Sequence, residues 1–428
     1  METELRKKVR EKARRSKTAL VMAGGGLTGA VYEIGALRAI DDLLVDRTVN
    51  DFDIYVGTSA GSIVSSFIAN GISPEEMLQV IDGTHPFTHT IERKHLFNLN
   101  FTDYLRWGVK LPFKVLDAWL NYLKNLGDMT LFDLMWTMSE ALPPGFYDPS
   151  GLKRFIHDAM MELGVTDDFN ALKKDLFLVA TDLDSGQRAI FGRGYNEASI
   201  SSAVSASCAL PMVYKPVRIN GHDYIDGGTR GNASIDLAIE QGAKLVVCVN
   251  PLVPFDNQKQ DKIPFLDKEG GHLSEKGVQS IVNQVFRIML HSGLHYHVKQ
   301  LRRAHPEVDI ILIEPSAEDY QMFFYNIMRY SARLVVARHG FESATVDLAV
   351  DYPYYRNVLA RHGIPISRRL VIEELAEIIN SDQDPQVIRR ILEARSPGCG
   401  SRRRSDPLCR LEKSLEALDE ALDELKPD

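Results

Sequence analysis

Residues 53–70 read DIYVGTSAGSIVSSFIAN, and this stretch decides the fold. Asp53 to Val56 is a short run with β-branched and aromatic side chains, the composition of a buried strand. The character changes abruptly at Gly57-Thr58-Ser59-Ala60-Gly61. From Ser62 to Ala69 apolar residues fall at helical spacing until Asn70-Gly71 stops them. Strand, tight turn and helix follow one another with almost no linker. A GxSxG sequence in that setting is the arrangement of a nucleophile elbow. The serine is held strained at the strand end with its oxygen exposed, and Gly57 and Gly61 leave room for the backbone to fold back. The helix beginning there aims its amides and positive dipole end at the same spot, where a negatively charged intermediate would form. The competing reading, a mere tight turn, is disfavoured by the strand before and the helix after.

Upstream the same unit appears once more. Thr18 to Ala23 (TALVMA) is an apolar run, Gly24-Gly25-Gly26-Leu27-Thr28-Gly29 a glycine turn, and Val31 to Leu44 a helical pattern. Downstream, Leu176 to Ala180, Lys244 to Val249 and Val308 to Ile313 are further short apolar runs between helical patterns. Alternation of this kind predicts an α/β fold with a largely parallel central sheet and helices on both faces. The glycine turn admits two readings. It fits GxGxxG, which would place a dinucleotide pyrophosphate on the helix start and an acid about 20 residues further on the ribose. Asp46 stands near that distance, but it follows a helical stretch instead of ending the second strand. A P-loop is excluded because no Gly-Lys-Ser/Thr follows. The other reading is an oxyanion hole, with unhindered amides facing the mouth of the serine turn from the adjacent strand.

With 428 residues, 44% hydrophobic and 25% charged, the chain can bury a large core. The net charge of -8 argues against a nucleic-acid partner. Residues 1–17 nevertheless carry eight bases against three acids, a local charge of +5, and read as a basic arm able to touch anionic headgroups or as a solvated tail. Residues 85–149 hold all three tryptophans among interspersed bases and read as an aromatic-rich helical insert or cap over a catalytic domain spanning 18–345. A helical extension follows at 346–395. Residues 396–428 comprise a linker and an amphipathic helix whose leucines, from Leu408 to Leu425, form a short seam for docking or homodimerisation. No apolar run suits a signal peptide or a span, so the expected location is cytoplasmic, with peripheral membrane contact.

Cys208, Cys248, Cys399 and Cys409 show no metal-ligand or disulfide spacing. A serine nucleophile needs a base within hydrogen-bond reach, most often histidine. The twelve histidines follow no catalytic signature, and His291-Ser-Gly-Leu-His295 lacks the glutamate of HExxH chemistry. Asp226-Gly227-Gly228, after a short strand at Tyr224-Ile225, offers an aspartate in what is otherwise an ordinary turn. On these grounds the base stays open between aspartate and histidine.

A GGGxxG turn, a GTSAG elbow about 30 residues later and a late Asp-Gly-Gly, in that order, make the sequence resemble the patatin-like phospholipase family. The likeness extends to Ala206–Pro211 and to Pro315-Ser316, so it covers roughly residues 18 to 345. It implies a three-layer fold and a lipid acyl hydrolase that cleaves carboxylic ester bonds of phospholipids or related acyl glycerides without metal or cofactor. By that resemblance Ser59 is the nucleophile and Asp226 the proton acceptor. Gly24, Gly25, Gly26, Leu27 and Gly29 form the oxyanion motif, with the amides of Gly25, Gly26, Leu27 and Ala60 as donors; Gly57 and Gly61 flank the elbow and Gly227 and Gly228 complete the last motif. Members often carry a basic residue at the place of Thr28 and a proline at that of Ala233, so this chain lacks a local cation there. The alternative function is a catalytically silent lipid-binding protein of the same fold.

Overall fold

The structure is a computed structural model that describes residues 16–99, 143–257, 272–318 and 333–393, with scattered helical positions between 108 and 133. Ten strands appear among them: β1 (Lys17–Met22), β2 (Ile54–Thr58), β3 (Gly145–Tyr147), β4 (Asp175–Asp182), β5 (Arg188–Gly192), β6 (Met212–Tyr214), β7 (Val217–Ile219), β8 (His222–Asp226), β9 (Ala243–Val249) and β10 (Asp309–Ile313). The main sheet runs β10-β9-β1-β2-β4-β8-β7, with β5 also paired to β4; β3 and β6 form a separate pair. The pairings from β10 through β4 are parallel, and those of β4 with β8 and β5, and of β7 with β8, are antiparallel.

Strand after strand, alternate residues enter two separate cores. Leu20 and Met22 of β1, Tyr55 of β2 and Leu178 of β4 face one; Ala19 and Val21, Ile54 and Val56, and Val179 face the other. That is the period of two expected of a sheet covered on both sides. The larger core is closed by α1 (Gly26–Leu43), α2 (Ala60–Ala69), α3 (Pro74–Asp82), α4 (Ser150–Glu162) and α5 (Ile200–Ser207). The smaller is closed by α6 (Ile235–Glu240) and α7 (Val278–Ala304). Both helices that follow the glycine-containing turns begin earlier than their apolar periodicity indicates, at Gly26 and Ala60. Glycine and alanine carry no apolar period of their own, so the first turns were invisible to pattern.

The C-terminal helices are α8 (Arg333–Val350), α9 (Tyr352–Arg361), α10 (Arg369–Asn380) and α11 (Pro385–Glu393); α8 and α10 pack on α1, α9 on α8, and α11 on α3. Two boundaries need correction. Lys17 opens β1 and so belongs to the sheet, not to the arm. The division at 345 falls inside α8, whose backbone meets that of α1 so closely that a Cβ on Gly35 would lie 2.0 Å from the Ala337 carbonyl oxygen. The extension is therefore joined to the α1 layer by a continuous helix. Arg38 of α1, fully buried, anchors the rest. Its guanidinium pairs with Asp42, with Glu75 at 3.3 Å and with Glu374 of α10 at 3.5 Å, and it donates to the Ile391 carbonyl of α11 at 3.1 Å.

The arm before residue 16, most of the aromatic insert and the leucine seam lie outside the described residues. No helix among the described residues is long and apolar enough to cross a membrane.

Candidate active site

Ser59 sits between β2 and α2 with φ 53° and ψ -126°, a backbone conformation that costs a non-glycine residue on the order of 1–3 kcal/mol. Its surroundings hold it there. The Ser59 amide donates to Ser207 Oγ at 2.8 Å, and that hydroxyl donates onward to the Val179 carbonyl at 2.6 Å. The Ser59 carbonyl accepts from Ser62 Oγ at 2.5 Å and from Cys208 Sγ at 3.0 Å. With amide and carbonyl both fixed, Oγ donates to Asp226 Oδ2 at 2.5 Å.

Sheet register explains the meeting of residues 167 positions apart. Thr58 pairs with Val179, and the next residue of β4, Ala180, pairs with Asp226 at the end of β8. Asp226 thus stands level with Ser59, two strands across with β4 between. Its other oxygen accepts from the Gly228 amide at 2.7 Å. Burial pushes the Asp226 carboxyl up to about 6, against the lowering pull of the hydrogen bonds from Ser59 and Gly228.

On the other side of Ser59 lies the glycine turn. The Gly24 amide donates to the Asn232 carbonyl at 3.1 Å, and a Cβ on Gly24 would sit 2.8 Å from Asn232 Oδ1 and 3.2 Å from Ser59 Cβ. Gly25 caps α1, whose first turn holds Gly26, Leu27 and Gly29. The leading amides of a helix have no carbonyl four residues back to bond. Ala60 opens α2 in the same way. Gly24, Gly25, Gly26, Leu27, Ala60, Ser59, Asp226 and Gly228 all line one cleft of about 400 Å³, with Gly227 in the turn beside Asp226 and Gly57 and Gly61 flanking the elbow on β2 and α2. The rest of the wall is largely apolar, including Ile63, Leu152, Leu210, Phe286 and Met289.

Three supporting side chains had no assigned role in the sequence: Ser207, Cys208 and Asn232. The first two belong to the Ala206–Pro211 stretch, and their only sequence signal is that resemblance. Asn232 Nδ2 donates to Asn250 Oδ1 at 2.8 Å, a link invisible in sequence because Asn250 lies past the end of β9. The histidines go elsewhere: none lines the cleft, while His157 meets Asp167, His222 meets Asp182, His362 meets Asp309, and His291 and His295 meet Glu314. Among the described residues the last three are the group with metal-ligand spacing. The dinucleotide reading loses its acid. Asp46 is exposed beyond the far end of the 18-residue helix α1, on the order of 27 Å from the glycine turn.

Known proteins place the chain. A family model described as patatin-like phospholipase matches residues 20–239. The uncharacterized protein YqhO of Bacillus subtilis is 23% identical over 253 residues, which cover 56% of this chain and 73% of that one. The probable lipid hydrolase 463L of invertebrate iridescent virus 6 is 23% identical over 222 residues, 52% of this chain and 63% of the viral protein. Among solved structures, VipD from Legionella pneumophila aligns over 96% of this chain and 88% of its own at 12% identity and a TM-score of 0.31. With the family model spanning more than half of its length, the chain belongs to the patatin-like phospholipase family of hydrolases.

Proposed function

We propose that this protein is a lipid acyl hydrolase that cleaves carboxylic ester bonds of phospholipids or related acyl glycerides through an acyl-enzyme on Ser59, with Asp226 as base. The observation that carries the reading is the 2.5 Å contact between Ser59 Oγ and Asp226 Oδ2 at the floor of an apolar cleft. An ordinary aspartate is too weak a base for a serine hydroxyl. The burial that lifts Asp226 to about 6 brings it closer to the task, while leaving it ionised at neutral pH.

Attack of Ser59 Oγ on the ester carbonyl passes the hydroxyl proton to Asp226. The tetrahedral oxyanion is stabilised by the amides of Gly25, Gly26, Leu27 and Ala60. Asp226 then gives the proton to the leaving alcohol. A water follows the same path to release the fatty acid and restore Ser59. The Ser59 amide is occupied by Ser207 and takes no part. Apolar walls suit an acyl chain, and the basic arm and aromatic insert suit a lipid surface; peripheral membrane contact is part of the proposal.

Hydrolysis of a short p-nitrophenyl ester and of mixed phospholipid vesicles by wild type, Ser59→Ala and Asp226→Asn, each checked for folding, tests it. Loss in both variants is expected. Activity surviving Ser59→Ala overturns the mechanism, and a folded wild type inert on every ester shifts the reading to a silent lipid-binding protein.

A further inference from the structure

One cluster plays no part in that chemistry. His291 and His295 lie one turn apart on α7 and so share a face. Leu294, Val298 and Leu301 of the same helix are buried in the smaller core, which fixes its rotation and turns both imidazoles toward the end of β10. There stands Glu314, the first residue past the strand. His295 Nε2 lies 2.8 Å from Glu314 Oε2, and His291 Nε2 lies 3.6 Å from Oε1. The ring centroids are 4.1 Å apart, and the three donor atoms all fall within 4.8 Å of one another.

Both imidazoles lie within ion-pair reach of Glu314, but only His295 meets it at hydrogen-bond length. A separation of 3.6 Å is beyond hydrogen-bond range, and Oε1 already accepts from Asn250 Nδ2 at 2.6 Å. A divalent cation satisfies all three groups together. Bonds of about 2.0–2.2 Å to imidazole and carboxylate at tetrahedral angles set donor atoms about 3.4 Å apart, inside the 4.8 Å that holds one donor atom from each of the three residues. Two imidazoles and one carboxylate with a further coordination position open suit zinc and its late first-row neighbours.

We infer that His291, His295 and Glu314 form a binding site for a zinc-class divalent metal ion, which pins α7 to the end of β10 and stands apart from the reacting atoms. The supporting groups are in place. Glu314 Oε2 meets His295 while Oε1, 3.6 Å from His291, keeps Asn250, the kind of outer hydrogen bond that orients a metal-binding carboxylate. A carboxylate only accepts, so the Asn250 amide must present its NH2 to Glu314 and its Oδ1 to Asn232 Nδ2. Asn232 in turn receives the Gly24 amide. The ion would thus be tied to the glycine turn through two side-chain amides, and Leu290, next to His291, lines the cleft.

The test is a titration of the full chain, first stripped with a chelator, with Co2+ followed by its visible d–d absorption and by displacement with Zn2+. One equivalent with the spectrum of a four- or five-coordinate ion is expected. His291→Ala and His295→Ala should each weaken binding by more than about 100-fold, Asn250→Ala by about 10-fold as a supporting residue, and His297→Ala on the same helix not at all. His295 is half exposed, so its variant should fold, which circular dichroism checks. Wild type binding Co2+ no more tightly than His291→Ala/His295→Ala, or equal loss in His297→Ala, overturns the inference. Ester hydrolysis is not read, so the outcome stands apart from that of the proposed catalysis.

Discussion

Two buried polar clusters in this molecule use burial in opposite ways. At the serine turn, Asp226 is 3% exposed and meets a neutral hydroxyl and one amide, leaving its charge without a counter-ion. Around Arg38, one cation of 0% exposure meets Asp42, Glu75 and Glu374. The first is an uncompensated charge, which raises basicity at the expense of stability. The second holds the C-terminal helices to α1, because an ion network broken by losing its cation leaves carboxylates stranded in a dry place. Burial without a partner makes a reactive group, and burial with partners makes a staple.

Ser59→Ala should show the largest effect, a loss of at least about 10⁴-fold in kcat/KM with thermal stability essentially unchanged. A parallel fall in melting temperature would mean that the serine turn is a staple as well. Arg38→Met should do the reverse. Urea unfolding is expected to show a loss of about 3–5 kcal/mol, while the fraction that remains folded keeps its kcat/KM. Unaltered stability would remove the contrast.

Asp226 supplies a pH test. Its carboxyl is raised in the folded state, so the protonated form, which cannot accept the serine proton, dominates below about 6. An acid limb of kcat/KM with a midpoint near 6 is therefore expected. The same shift has a stability sign. A raised folded value means that the group favours the native state in acid, and that this contribution is lost as pH rises from the unfolded value of about 3.9 through 6. Asp226→Asn should consequently be inactive yet stabilised at neutral pH by up to about 2–3 kcal/mol, seen as a higher urea midpoint. A destabilised Asp226→Asn would show that the carboxylate is held by more than Ser59 and Gly228.

The smallest expected effect sharpens the other cluster. Burial, aided by the adjacent Asp42, raises the Glu374 carboxyl, so its contribution is full only in acid and is lost progressively as pH rises from the ordinary carboxylate range through its folded value of about 9. Glu374→Gln should shift stability at pH 7 by no more than about 1 kcal/mol and flatten the alkaline decline. A decline as steep as in wild type would place its origin elsewhere.

The two clusters also differ in how far they could be read in advance. The serine turn announces itself because its geometry is local: a glycine on either side of Ser59, a strand before and a helix after are consequences of a few adjacent residues. The glycine turn and Asp226 were legible by kind, though only a family resemblance chose aspartate over the twelve histidines. Arg38 carries no comparable local signal. Its partners lie up to 353 residues away, and nothing in α1 shows that α10 and α11 will cover it. His291 and His295 were seen as a pair lacking an HExxH glutamate; the carboxylate they face comes from another strand.

The sequence by itself determined the α/β alternation and the two turns, the second of them carrying Ser59, because propensity, glycine placement and apolar period act over a few residues. Tertiary structure alone decided that β8 runs antiparallel to β4, which sets Asp226 level with Ser59. It likewise decided that Ser207 and Cys208 lock the strained turn, that Arg38 is buried, and that Glu314 meets two histidines. Each of these is fixed by which distant surfaces bury one another. That choice depends on the summed packing of the whole chain, and no short window of residues carries it.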